Sequence, residues 1–104
     1  MFEQFLHSYV ECALWTVGMS HRQLTKLAYA RMVSDARQFW GTYHDLIECN
    51  PQQAGHDFWL TRNREGSGFW DGNWPEEKAK ILTEAAHKFG ELSLYLSKGK
   101  VEVS

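Results

Sequence analysis

Little in this sequence is extreme, and each scarcity removes a class of protein. Only two cysteines occur in 104 residues, Cys12 and Cys49, far apart and outside any CxxC pattern. They point to two free thiols in a reducing cytoplasm and away from a disulfide scaffold. No long apolar run is present. The first residues, MFEQFLHSYVECALW, are interrupted by Glu3, His7 and Glu11 and carry no basic leader. We expect neither a signal peptide nor a membrane span there, and hence a soluble cytoplasmic protein. Charge of one sign is also missing: 11 Lys and Arg against 13 Asp and Glu leave a net −2. The chain therefore lacks a general basic footprint for nucleic acid and is too weakly acidic to imitate the DNA backbone. It shows no internal repeat, linker or low-complexity segment.

What is present suits a packed globule. Hydrophobic residues make up 43% and aromatics 14%, which argues against disorder. Residues 1–104 read as one small α+β domain. A chain of this length buries roughly 60–70% of the surface its unfolded form exposes, so a partner or a second copy, as in a homodimer, would add useful stability.

Apolar residues at helical spacing predict a helix over 2–17 ending near Gly18. A second helix starts from Ser20 as N-cap, with Leu24, Leu27, Ala28, Val33, Ala36, Phe39, Trp40, Tyr43, Leu46 and Ile47 on its apolar face. A break within 20–35 and a weak point at Gly41 are left open, and Asn50–Pro51 stops it. HDFWLTR then alternates as a strand over 56–62, with Phe58 and Leu60 inward and Trp59 on the far face. Residues 63–72 are loop, with glycines at 66, 68 and 72. Pro75, Glu76 and Glu77 open a later helix that ends before Gly90. The tail 91–103 alternates, turns at Lys98–Gly99 and returns as a hairpin. A lone hairpin is marginal in water. The expected fold is therefore two N-terminal helices and one later helix on a small three-stranded antiparallel sheet, the strand 56–62 being the third.

The stretch AGHDFWLTRNREGSGFWDG (54–72) closely resembles a motif of small bacteriophage and mobile-element proteins, in which the run reads close to AGHDFWLTRNGHGAGFWDR. YVECALW (9–15) resembles the opening helix of that family, DARQFWGTYHDLIE (35–48) its second helix, and residues 86–103 its helix exit and hairpin. The resemblance covers most of the chain. This sequence departs at Arg64–Glu65, where Gly–His is common, at Ala36, where Cys is common, and at Lys98–Gly99, in place of a more acidic turn. The likeness implies a phage-related origin and a shared fold, and it implies no activity.

The same stretch concentrates the chemistry. Aromatics and arginine are the usual anchors of interfaces, so Asp57, Trp59, Arg62, Asn63, Arg64, Trp70 and Asp71 form the candidate binding surface. The bland reading of these residues is a fold staple: Trp59, Phe69 and Trp70 closing a small core, with Asp57 and Asn63 bonding loop amides. Glycine-rich backbone can also nest a phosphate, with Arg62 and Arg64 for charge and Trp59 or Trp70 for base stacking. Glu65 opposes that. A hydrolase or nuclease would have to use His56, Asp57 and Asp71, at no recognised spacing, and strand neighbours such as His56 and Asp57 face apart. His44 with Glu48 and Glu84 with His87 imitate metal spacings, yet a carboxylate-bridged di-iron site needs two Glu-x-x-His copies. Solvated helix faces account for both, and we assign no metal, cofactor or catalytic residue. The leading expectation is a non-enzymatic accessory protein that binds a host or phage protein. The alternative is a nucleic-acid-binding module, and a small hydrolase or nuclease comes third.

Overall fold

The computed structural model describes residues 1–104 and contains four α-helices and one hairpin. Helix α1 (Phe2–Val17) ends at Gly18, whose φ of 67° lets its N–H turn back to the carbonyls of Leu14 and Trp15. The second helix does not start at Ser20. Ser20 instead opens a 3₁₀ turn, His21–Gln23, with its N–H donating to Gln23 Oε1 at 3.0 Å. Thr25 then caps α2 (Lys26–Ile47), its Oγ1 accepting from the Ala28 N–H at 3.1 Å. The break thus falls at Leu24–Thr25, and Gly41 interrupts nothing. Leu27, expected on the apolar face of α2, is 83% exposed, while Met32 and Asp35 are buried.

The main correction concerns 56–62. These residues are not a strand: they are the end of a third helix, α3 (Pro51–Arg62). Asn50 caps it by accepting from the Gln53 N–H, and Pro51 takes the first helical position. Residues 57–62 are all buried. This second half of the helix is surrounded on every side and has no polar stripe, which is why its period did not read as helical. Helix α4 (Glu76–Lys88) starts one residue after Pro75 and exits through Gly90, φ 75°.

Strands β1 (Leu94–Ser97) and β2 (Lys100–Val103) pair antiparallel across the turn Lys98–Gly99, so the ladder is shorter than 91–103 and the sheet has two strands. Cover comes from the break in the second helical region instead of from 56–62. Leu24 bridges Val101 in parallel, and the Thr25 N–H donates to Val101 O at 3.1 Å.

The core is a pile of aromatic rings. Phe58 lies 4.2 Å from Phe39 and 4.8 Å from Tyr9 between centroids, both nearly parallel, with Phe5 and Phe69 extending the stack. Fully burying each such ring contributes about 1.5–3 kcal/mol. Helix α3 reaches this position because Gly55 lets it cross α1 at close range. A Cβ there would sit 2.2 Å from Phe5 O and 2.9 Å from the Tyr9 amide nitrogen.

Candidate functional site

Helix α3 and the loop after it bring the seven candidate residues together, but at different depths. Arg62 is wholly inside. Its Nη1 donates to Asp35 Oδ2 and to Tyr9 Oη, each at 2.8 Å, its Nε donates to Gly90 O at 2.9 Å and its Nη2 to Phe89 O at 3.2 Å. The guanidinium also faces the Phe58 and Phe89 rings. One side chain thereby ties α1, α2 and the C-terminal end of α4, where a cation suits the negative end of the helix. Burial pushes the Tyr9 phenol up to about 12, against the pull of Arg62.

Asp57 is buried as well. Its Oδ2 accepts from Trp74 Nε1 at 2.8 Å and its Oδ1 from Gln53 Nε2 at 3.0 Å. Desolvation raises its pKa, and the hydrogen bonds from Trp74 and Gln53 only partly oppose that. On the helix, His56 Nδ1 comes within 3.9 Å of Asp57 Oδ1, so the pair is not split across two faces as a strand would require. Trp59 does not lie on an open sheet face. It packs in the core with its Nε1 donating to Thr16 Oγ1 at 3.2 Å. Asn63 ends α3, its Oδ1 accepting from the Leu92 N–H at 2.8 Å and its Nδ2 donating to Trp59 O.

Arg64, Trp70 and Asp71 reach the surface. Arg64 adopts the left-handed region, φ 53°, a conformation uncommon for a residue with a Cβ. Trp70 is 44% exposed. Asp71 Oδ2 accepts from Ser67 Oγ at 2.6 Å and from the Gly68 N–H at 2.9 Å, and these bonds hold its carboxyl below the ordinary value. The loop is pressed against α3: Phe69 N–H donates to Thr61 Oγ1 at 3.1 Å, and a Cβ on Gly68 would meet that oxygen at 2.2 Å. The amides of Arg64, Glu65, Gly68, Phe69 and Asp71 all have partners inside the protein. A phosphate nest would need such groups free.

Two features escaped the sequence reading. Trp15 lies off the apolar stripe of α1 and is 79% exposed. A tryptophan outside the stripe was the available signal. It borders a groove of about 480 Å³ between α1 and α3, lined also by His7, Glu11, Cys12, Gln52 and His56. Burial drives the Cys12 thiol up to about 12, so it stays protonated and unreactive at neutral pH. At the end of α2, Asp45 joins His44 and Glu48. Their ligand atoms lie within 4.8 Å of one another, and His44 Nε2 is 3.0 Å from Asp45 Oδ1. Glu84 and His87 stay one turn apart on α4.

No helix is long and apolar enough to cross a membrane. No protein-family model matches this chain, and neither does any curated protein or solved structure.

Proposed function

We propose that this protein is a non-enzymatic binding module, an accessory protein of phage or mobile-element type, which recognises a host or phage protein through the loop 63–71. The observation that carries this reading is the display of Trp70. Its ring stands 44% exposed on a loop anchored by Asp57–Trp74, Thr61–Phe69 and Asn63–Leu92 hydrogen bonds. A loop anchored before contact loses less entropy on binding than a free one. Arg64 and Asp71 are exposed polar residues of the same loop, while Asp57, Trp59, Arg62 and Asn63 hold the fold beneath it.

The test compares wild type with Trp70→Ala and Arg64→Ala as bait in bacterial lysate, with and without nuclease. Proteins retained by wild type after nuclease and lost with Trp70→Ala support the reading, provided far-UV circular dichroism is unchanged. A protein set that is the same for all three baits overturns it. Enrichment that vanishes with nuclease favours nucleic-acid binding through Trp70 stacking and Arg64. That alternative predicts steep salt dependence through counterion release, and it must work without Arg62, whose donors are taken up in the core.

A further inference from the structure

The hairpin leaves one edge of its sheet open. Because Lys98–Gly99 is a two-residue turn, Ser97 and Lys100 form the hydrogen-bonded closing pair. Pairs then alternate: Tyr95 exchanges bonds with Glu102, whereas Leu94, Leu96, Val101 and Val103 turn their N–H and C=O groups outward. On the β2 side, the Thr25 N–H takes up the outward Val101 carbonyl. On the β1 side, the outward groups of Leu94 and Leu96 have no backbone partner. Tyr95 and Leu96 are about half exposed on that edge. Such a row of free donors and acceptors is a template for another strand.

We propose that β1 pairs antiparallel with β1 of a second copy of this chain, about a two-fold axis passing at Tyr95, joining the two hairpins into one sheet. The charges on the edge single out this occupant and this direction. At one end of β1 the hairpin tip carries the exposed Lys98, in the turn, and Lys100, the first residue of β2. At the other end lies a cleft of about 220 Å³, lined by Thr16 and Val17 of α1, the exposed Glu65 and Glu91, and residues up to Leu94. The last turn of α1 has no basic residue to offset the negative end of its dipole. Antiparallel pairing sets the lysine-bearing tip of each copy beside the acidic cleft of the other, and two-fold symmetry makes the contact twice. Parallel pairing would set tip against tip. In this register Leu94 faces the second copy's Leu96, so their outward backbone groups bond, and the two Tyr95 side chains lie side by side. The acidic cleft takes in Glu65 of the loop 63–71, but the pairing rests on the β1 edge and uses none of Arg64, Trp70 and Asp71, on which the reading above rests.

The edge is short, well under a standard interface, so the dimer is weak, with Kd on the order of ten micromolar. Sedimentation velocity on the full chain, from micromolar to near-millimolar concentration, should show reversible monomer–dimer exchange. Glu91→Lys and Lys100→Glu should each weaken it by about tenfold, and the double reversal should return it to within about twofold of wild type. Both positions are exposed, and circular dichroism checks the fold. In a Cys49→Ser background, Tyr95→Cys should cross-link into a covalent dimer on mild oxidation. Ser97→Cys should not, because its symmetry mate lies ~13 Å away along the strands. A monomer at every concentration overturns the proposal. So does a dimer indifferent to the charge reversals, or one that cross-links equally through both positions.

Discussion

Arg62 and Asp35 meet at 2.8 Å in the interior, between α3 and α2, with the guanidinium fully enclosed. Arg31 reaches the same carboxylate oxygen from the rim, at 3.3 Å. A buried charge pair is costly to desolvate and is held by the bonds around it. Here Tyr9 Oη and the carbonyls of Phe89 and Gly90 take up further donors of Arg62.

Removing one partner should therefore be severe. Arg62→Met leaves Asp35 without its internal partner and two carbonyls and a phenol without their donor, and should destabilise the fold by about 3–5 kcal/mol. Arg62→Lys should recover only part of this, because one ammonium cannot point in the directions a guanidinium fork spans. Urea unfolding followed by circular dichroism measures both. A loss under 1 kcal/mol for Arg62→Met would show that the cluster holds little together.

Two glycines should respond in opposite ways. Gly55→Ala drives a methyl into the backbone of α1 at Phe5 and Tyr9 and should cost about 3 kcal/mol or more by forcing the helices apart. Gly41 sits within α2 with open space around its Cβ position. Gly41→Ala should stabilise by about 0.5–1 kcal/mol through helix propensity. Thermal melts of the pair provide the comparison.

Alkaline pH should unfold the protein. The thiol of Cys12 and the phenol of Tyr9 are both raised to about 12 from ordinary values of 9.0 and 10.0. Between those values the folded state keeps protons that the unfolded chain releases. Their contribution to stability is thus full below about pH 9 and falls as pH rises toward 12. Cys12→Ala should flatten the part of this slope that begins near pH 9, read by urea midpoints at a series of pH values. In the same range the exposed Cys49 should be the thiol that a colorimetric reagent titrates in the native state, with Cys12 appearing on denaturation.

Asp57 has the same sign at the acid end. Its folded pKa is raised, chiefly by desolvation, so its contribution is greatest below the unfolded value and declines as pH climbs through the raised one. Asp57→Asn keeps an acceptor for Trp74 and should remove that decline. Trp74→Phe leaves the carboxylate without its indole donor and should cost about 1–3 kcal/mol. Urea midpoints from pH 3 to 7 test both.

Much of the architecture was legible from local signals. Gly18, Gly90 and the Lys98–Gly99 turn sit where left-handed backbone is required, and α1 and the hairpin followed from period and punctuation. The error at 56–62 has a definite cause. Alternation of Phe58 and Leu60 with Asp57, Trp59 and Thr61 reads as one face in and one face out. Helix α3 instead buries all of them, placing its polar side chains against internal partners. The better signal was adjacent: Asn50–Pro51 is the start of a helix as much as the end of one.

The candidate site divides the same way. Clustering of Asp57, Trp59, Arg62, Asn63, Arg64, Trp70 and Asp71 was visible in the chain, because they are close in sequence. Their depth was not. By itself the sequence determined the ends of α1 and α4, the hairpin turn and the supply of aromatic rings, all of which depend on neighbours within a few residues. Which arginine would be buried and which would face solvent was settled only in three dimensions. Arg62 goes inside because Tyr9, Asp35, Phe89 and Gly90, distant in the chain, converge on it with acceptors. Arg64, two residues on, has no hydrogen-bonding or ionic partner for its side chain and stays at the surface.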